Sequence, residues 1–225
     1  MAAQPLPPTG EPPTAKTCDA SGMAMIHRVY KTGFAEGPRL VRGVASGDTA
    51  HADAVADHLE LLSISLHSHH DGEDEHLWGT LTERAPSCGA HVERMKAQHA
   101  DMLLHLGELD AALPAWRASA ADPVAVLTAL DGINAALDAH LPDEEANIVP
   151  VMETVITQKE VEWFSEHGRR STPKGQTWNM LGAMITSQPD GGAEFLGELP
   201  PPLRLLWRFV GRPRYERMRA VLEGR

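Results

Sequence analysis

The sequence predicts an all-α protein, an up-down-up-down four-helix bundle with a C-terminal helical extension. The main observation is that apolar residues recur in steps of three and four along four long segments, as on the buried face of an α-helix. A second observation is that short stretches with proline, glycine or a capping residue separate these segments. Helices joined by such short connections pack as antiparallel neighbours. The 225 residues suffice for one full hydrophobic core.

Proline and glycine divide the chain into three parts. Residues 1–20 contain five of the seventeen prolines and few bulky apolar side chains, so they are predicted to be a flexible arm. The four-helix bundle is expected over residues 21–158. Residues 159–225 are interrupted by a glycine pair and a triple proline, and they are predicted to be a helical extension packed on the bundle.

The four bundle helices follow from their apolar stripes and from the residues that interrupt them. Pro38 predicts a kink in the first helix, and Asp48 is expected to cap the second. Pro142 and Pro150 must bend or break the fourth helix, because proline removes a hydrogen-bond donor from the helix interior. The predicted helices cover residues 23–45, 49–84, 88–117 and 123–158.

Composition excludes several classes of function. The net charge of -11 argues against a nucleic-acid binder, whose surface is basic. Cys18 and Cys88 are too few for a disulfide framework or a thiolate metal site, and they fit a reducing cytoplasm. No apolar run approaches the roughly 20 residues of a membrane span, and the N-terminus lacks a secretion signal. We therefore expect a soluble cytoplasmic protein that binds neither nucleic acid nor membrane, and its oligomeric state stays open.

Two segments about seventy residues apart carry the same pattern. His69 precedes Glu73 by four residues, and His140 precedes Glu144 by four residues. Residues four apart share one face of a helix, so each pair can offer an imidazole and a carboxylate to one metal centre. Both pairs take positions within the apolar stripe of their helix, which predicts that they face the core.

The first and third helices add a histidine each to their inward faces. A buried carboxylate without a partner is costly, so two of them at matched positions favour bound cations. The competing interpretations are that histidine and glutamate form hydrogen-bonded polar pairs, or that the helices are turned and these side chains face water. The duplication favours a metal site in the bundle core. The six predicted ligands are His27, His69, Glu73, His99, His140 and Glu144.

The ligand types indicate which metal is expected. Imidazole and carboxylate without thiolate suit iron, manganese or zinc, and two glutamates that can bridge favour a dinuclear site with iron as the first choice. A ferritin-like arrangement needs Glu-x-x-His on each of two helices. The second helix has this pattern at Glu73 and His76, but the fourth helix has no histidine at the matching place, so that arrangement fails.

The order of these residues resembles a known family. One histidine on the first helix, His-x-x-x-Glu on the second, one histidine on the third and His-x-x-x-Glu on the fourth are similar to the hemerythrin-like, or HHE cation-binding, domain. The resemblance covers roughly residues 23–215, and segments 25–28, 98–99 and 199–215 look like an actinobacterial branch. It implies two iron ions with an oxo or hydroxo bridge that bind or react with dioxygen, hydrogen peroxide or nitric oxide.

The sequence departs from the oxygen carrier of that family in its third helix. The carrier has two histidines four apart there, whereas here Met95 and Leu103 flank His99 at that spacing. Four histidines and two carboxylates leave open metal positions, and open positions favour chemistry over reversible carriage. We therefore expect an oxidoreductase that decomposes peroxide or defends against oxidants, with no catalytic residue assigned. The alternatives are an oxygen- or iron-sensing module without turnover and a di-iron oxygenase of organic substrates.

Four more residues are expected beside the ligands. His70 can pair with Asp74, or can be the true ligand if the helix is rotated. Asp74 and Glu145 can orient ligating imidazoles, although solvated neighbours would show the same pattern. Tyr30 can hydrogen-bond a bound ligand or ligate iron, while a tyrosine that fills the core is the more common case.

Overall fold

The computed structural model describes residues 15–225, and their regular structure is helical with no strand among them. Most of the predicted arm, residues 1–14, lies outside the described residues. The last part of that arm packs against the end of the fourth bundle helix. Thr17 donates its hydroxyl to the Ile156 carbonyl oxygen at 2.6 Å, and the Cys18 side chain is buried.

The first half of the bundle starts close to the predicted boundaries. Helix α1 spans Ser21–Gly43 and continues through Pro38. Helix α2 spans Thr49–Gly72 and is capped, as predicted, by Asp48, whose carboxylate accepts from the His51 amide at 3.0 Å. The predicted second helix is not uniform, because a π-helix over Glu73–Leu77 separates α2 from helix α3. Helix α3 spans Trp78–Arg84.

The second half repeats this up-and-down course. A short 3-10 turn leads into helix α4, Gly89–Ser119. Helix α5 spans Val124–Asn147, and helix α6 follows over Val149–Val155 with Pro150 in its first turn, so the fourth predicted helix breaks at Ile148. Helix α5 packs on α1 and α4, and α2 packs on the same two helices. The four long helices therefore form a closed ring, which confirms the predicted all-α bundle.

Two apolar clusters fill the bundle along its axis. The larger cluster contains Phe34, Leu62 and Leu106, and the smaller contains Trp78 and Met95 near the π-helix. Along the first three bundle helices, the predicted metal ligands lie between the stretches that supply the two clusters, and on α5 Glu144 lies between Leu141 of the larger cluster and Ile148 of the smaller. The polar residues thus form one layer with apolar packing on both sides, which shields them from bulk water.

The chain beyond the bundle is also helical. The C-terminal end of this extension contacts the bundle, where Arg219 Nη2 donates a hydrogen bond to Glu36 of α1 at 2.7 Å. A side chain on Gly182 would collide with the Tyr215 ring, so the two helices that carry these residues can only pack this closely with glycine at that place. The helices of this extension are α7 (Gln158–Ser171), α8 (Thr177–Thr186), α9 (Ala193–Glu198), α10 (Pro201–Leu206), a π-helix (Trp207–Gly211) and α11 (Arg212–Leu222).

One helical run, Val124–Val155, is long and apolar enough to cross a membrane by length and composition. The expectation that no such segment exists was therefore too strict. This run packs on α1 and α4 and carries buried His140 and Glu144. The core helix of a bundle meets the same criterion of length and composition.

Candidate metal centre

The second helix brings two consecutive histidines into the centre of the bundle. Adjacent residues on a helix point about 100° apart. Because α2 packs on both α1 and α4, two such residues can face inward toward different neighbours. The His69 ring lies 5.3 Å from the His27 ring of α1, and the His70 ring stacks on the His99 ring of α4 at 4.0 Å.

The buried imidazoles and carboxylates fall into two donor groups. Within each group, the possible ligand atoms lie within 4.8 Å of one another. All six residues predicted as ligands lie in these groups, together with one more histidine. The His70 group consists of His70, Glu73, His99 and His140, and the His27 group consists of His27, His69 and Glu144.

Glu73 lies between the two groups at the start of the π-helix. Its Oε1 is 3.4 Å from His69 Nε2 in the His27 group, and its Oε2 is 3.5 Å from His99 Nε2 in the His70 group. A π-helix adds a residue to one helical turn, and such turns are frequent at functional sites. Here the turn begins at the residue that faces both groups.

Glu144 on α5 is the second shared carboxylate. Its Oε2 lies 3.2 Å from His27 Nε2 in its own group and 3.5 Å from His140 Nε2 in the His70 group. Both partners and Glu144 itself are almost completely buried. The two glutamates, which come from opposite positions of the helix ring, therefore each contact imidazoles of both groups.

The polar atoms that meet at the centre of this layer have no hydrogen-bond partner within the described part of the chain. Thirteen buried side-chain atoms lack a partner within residues 15–225, and ten of them belong to the two donor groups. These ten are the Nε2 atoms of all five histidines, His70 Nδ1 and the four carboxylate oxygens of Glu73 and Glu144. Buried polar atoms are normally hydrogen-bonded, and buried charges are paired or coordinate metals. The donor set therefore fits bound metal cations.

The protonation states indicate the same need for positive charge. Burial and the nearby Glu144 carboxylate raise the pKa of Glu73 well above its usual value. Burial opposes a proton on His27, but contacts with Glu144 and Glu145 raise its pKa to about 9. Burial and the charge of His27 lower the pKa of His69 to about 3. Metal binding to these groups must displace protons.

Two carboxylates outside the groups orient imidazoles from the side that faces away from the centre. His27 Nδ1 donates to Glu145 Oε1 at 2.9 Å, and His99 Nδ1 donates to Asp74 Oδ1 at 2.8 Å. Trp78 Nε1 donates to the same Asp74 oxygen at 2.6 Å. These bonds leave the Nε2 atoms of His27 and His99 free for a metal, and Asp74 and Glu145 would orient the two imidazoles if a metal is bound.

A third imidazole is oriented by a residue that the sequence interpretation missed. His140 Nδ1 donates to Gln98 Oε1 at 3.1 Å, and Gln98 Nε2 donates to Asp143 Oδ2 at 3.2 Å. Arg94 Nη2 in turn donates to Asp143 Oδ1 at 2.7 Å. The available signal was the position of Gln98 directly before the inward-facing His99, but an amide gives no metal-ligand pattern in a sequence.

Of the two roles considered for His70, its position matches that of a ligand. It lies within a donor group, is fully buried, and neither ring nitrogen has a hydrogen-bond partner among residues 15–225. The physical reason is the position of α2 between α1 and α4, which turns both adjacent histidines inward. The number of imidazoles around the carboxylates therefore rises from four to five.

The third bundle helix lacks a second donor at either of the places considered from the sequence. Met95 is fully buried in the smaller apolar cluster, and Leu103 is only half-buried. The buried residue at this point of α4 is Met102, while Met95, His99 and Leu106 face inward. His70 of α2 supplies the imidazole that α4 does not.

Tyr30 belongs to the core beside the site. Its ring lies 5.4 Å from the His69 ring, while its hydroxyl donates to the Ser65 carbonyl oxygen at 3.0 Å. Burial raises the pKa of this phenol, which therefore stays protonated. Of the alternatives considered for Tyr30, the structure supports the packing role.

The fold and the buried donors define a helical-bundle protein that can hold metal cations. Over residues 25–152, the chain matches the family model of the hemerythrin HHE cation binding domain. The match covers more than half of the 225 residues, and the chain therefore belongs to this family. No curated protein and no solved structure matches this chain.

Proposed function

We propose that the protein holds two iron ions, one in each donor group, with Glu73 and Glu144 shared between them. Membership of a cation-binding family supports a bound metal, and the two sets of buried donors support two ions. Imidazole and carboxylate donors without thiolate suit iron. The observation that carries the proposal is that each glutamate lies within 3.5 Å of imidazoles from both groups.

The two groups would bind their ions unequally. The His70 group contains three imidazoles and the His27 group contains two, so an ion in the His27 group has one protein ligand fewer. His69 is also the most accessible donor, with 11% of its side chain exposed, whereas Glu73 and His99 are at 1%. A small molecule would thus find both room and access on the His27 side.

We further propose that a small oxidant, namely hydrogen peroxide, dioxygen or nitric oxide, reacts on that side. Bound iron supplies reversible one-electron chemistry. The chain orients three imidazoles through Glu145, Asp74 and Gln98, and its two apolar clusters limit bulk water. Peroxide is the first substrate to test, because two molecules of it give two of water and one of dioxygen without an outside electron donor.

The proposal is tested on the full chain loaded with iron under anaerobic conditions. We expect two iron ions per chain, near-ultraviolet absorption after oxidation and release of dioxygen from added peroxide. Glu144→Ala is the control for free iron, because it removes a ligand shared by both groups. Peroxide turnover that persists at the same rate in Glu144→Ala would contradict the proposal, as would zinc or a single ion in the purified protein.

A second function, oxygen or iron sensing without turnover, is supported by the contact between α2 and α7. His167 Nε2 donates to the Ser68 carbonyl oxygen at 3.0 Å, one residue before His69. A Cβ on Gly72 would lie 3.4 Å from the His167 ring, so the helices are in close contact one residue before Glu73. A shift of α2 on ligand binding would reach α7 directly. Reversible spectral change without peroxide consumption would favour this function.

A further inference from the structure

The extension carries an exposed strip that combines apolar and basic side chains. Leu205, Leu206 and Phe209 are 58%, 46% and 68% exposed. The other large exposed apolar residues that the structure describes lie singly on five different helices. Three arginines alternate with the apolar side chains of this strip and are also exposed. We call it the basic ridge, and it consists of Arg204, Leu205, Leu206, Arg208, Phe209 and Arg212.

The basic ridge is mounted rigidly on the rest of the extension. Trp207, in the middle of the ridge sequence, is buried with Tyr215 and Ile185 in a separate apolar cluster. A Cβ on Gly211 would lie 2.5 Å from the Trp178 ring, so the backbone approaches α8 as closely as glycine permits. One face of the segment is thereby anchored, and the opposite face keeps its leucines and phenylalanine in solvent without a partner among the described residues.

The charge of this end differs in sign from the rest of the protein. Residues 201–225 contain seven arginines and two glutamates, a net charge of +5. The whole chain carries -11, so residues 1–200 carry -16. Arg208 lies over the Phe209 ring at 5.4 Å and forms no ion pair within residues 15–225, while Arg212 pairs with Glu216 at 2.7 Å. The ridge is therefore a local cationic surface on an acidic protein.

The charge and apolar character of the ridge indicate what kind of partner could cover it. A second copy packed ridge to ridge about a twofold axis would bring the arginines of both ridges together, and like charges repel. The rest of the described surface offers a second copy no other cluster of exposed large apolar side chains. An anionic bilayer matches both features, because its phosphates attract arginine and its interface accepts leucine and phenylalanine side chains. The acidic bundle would be repelled, which leaves the ridge as the face that approaches.

We propose that the basic ridge docks the protein onto the surface of an anionic phospholipid bilayer. The contact is peripheral, with no helix crossing the membrane, and it revises the expectation from composition that the protein binds no membrane. It does not depend on iron, since the ridge lies in the extension and the donor groups lie in the bundle.

The test is sedimentation of the full chain with vesicles of phosphatidylcholine alone and with an equal mixture of phosphatidylcholine and phosphatidylglycerol. We expect binding only to the mixed vesicles, weakening as salt is added. The variant Leu205→Ser/Phe209→Ser should lower the affinity by roughly tenfold or more, because two apolar insertions are lost. Arg208→Gln should lower it about fivefold, the weight of one arginine near such a surface.

Matched controls come from exposed residues elsewhere. Leu104→Ser on α4, where the side chain is also 58% exposed, and Lys159→Gln on α7 should leave vesicle binding unchanged. Absence of binding to the mixed vesicles, or equal binding to both vesicle types, would overturn the proposal. So would a dimer in analytical ultracentrifugation that the Leu205→Ser/Phe209→Ser variant converts to monomer, because the ridge would then be covered by a second copy.

Discussion

The His70 group and the His27 group share two glutamates but differ in nearly everything else. The His70 group has three imidazoles, all almost completely buried, whereas the His27 group has two and includes the partly exposed His69. The sequence pattern that generates them is nearly symmetric, with one His-x-x-x-Glu on each of two helices. The difference arises from one residue, His70, which adjoins His69 but faces the other neighbour of α2. A repeated motif thus does not guarantee two equal sites.

The largest expected effect is loss of both ions when a shared carboxylate is removed. Glu144→Ala removes the carboxylate that contacts both His27 and His140, so the metal content of both groups should fall. The metal-free variant should be less stable than the metal-free parent at neutral pH, because the protonated His27 imidazole loses the buried carboxylate that it contacts at 3.2 Å. Metal analysis and thermal unfolding check this, with Glu75→Ala as control since that side chain is 70% exposed. Selective loss from one group would show that Glu144 is not shared.

The next effect tests the asymmetry itself. His70→Ala should lower the metal affinity of the His70 group. The loss should exceed the roughly 10- to 100-fold that is typical when a residue that only supports a ligand is removed. The ion of the His27 group should remain, since His70 is not part of it. His67→Ala, on the same helix and paired with Asp110, is the matched control. Full retention of two ions in His70→Ala would return His70 to the supporting role first expected from the sequence.

A smaller effect should follow from the residues that orient the imidazoles. Asp74→Asn keeps the shape of the side chain but removes the negative charge of the group that accepts the hydrogen bond from His99 Nδ1. Metal affinity should therefore fall roughly tenfold. Trp78→Phe removes the indole donor to Asp74 and some buried ring volume but leaves the Asp74 charge in place, so it should lower metal affinity less. Competition with a coloured chelator gives both values. If Trp78→Phe weakened binding as much as Asp74→Asn, the effect would come from packing and not from the hydrogen bonds.

The smallest expected effect on metal lies outside both groups. Burial alone would raise the pKa of Glu36, but its contacts with His58 and Arg219 hold that pKa at about 2. Because the pKa of Glu36 is lower in the folded state than its usual value near 4.5, its charge stabilises the fold at pH values above about 4.5. This stabilisation is lost as the pH falls toward about 2. Glu36→Gln should therefore destabilise at neutral pH by at most about 3 kcal/mol, less after solvent screening. Its metal affinity should not change.

Urea unfolding of the parent and of Glu36→Gln at several pH values tests this. The difference in unfolding free energy should shrink as the solution is acidified below the usual carboxyl pKa. A difference that stays constant with pH would mean that the charge of Glu36 contributes nothing and that the variant acts by altered packing against Arg219.

Helical periodicity and breakers were enough to predict the bundle. The first and third predicted helices, 23–45 and 88–117, start and end within two residues of Ser21–Gly43 and Gly89–Ser119. The π-helix at Glu73–Leu77 was not predicted, because a single added residue leaves the spacing of apolar positions nearly unchanged. The fourth helix broke where Pro150 had indicated.

The site was only partly predictable, for a geometric reason. Assigning one inward stripe to each helix placed His69 in the core and His70 beside it. In a closed ring of four helices, α2 touches two neighbours, and its inward arc is wide enough for adjacent residues. The consecutive histidines were the available signal. For Gln98 the only signal was its position before His99, which does not predict its hydrogen bond to His140.

The most direct test is a Mössbauer spectrum of the full chain loaded with isotopically enriched iron, together with the iron content per chain. Two ions that share Glu73 and Glu144 but differ in their number of imidazoles should give two distinct signals of equal area and two iron ions per chain. A single signal would mean equivalent environments and would remove the asymmetry. One ion per chain would contradict the shared-carboxylate centre altogether.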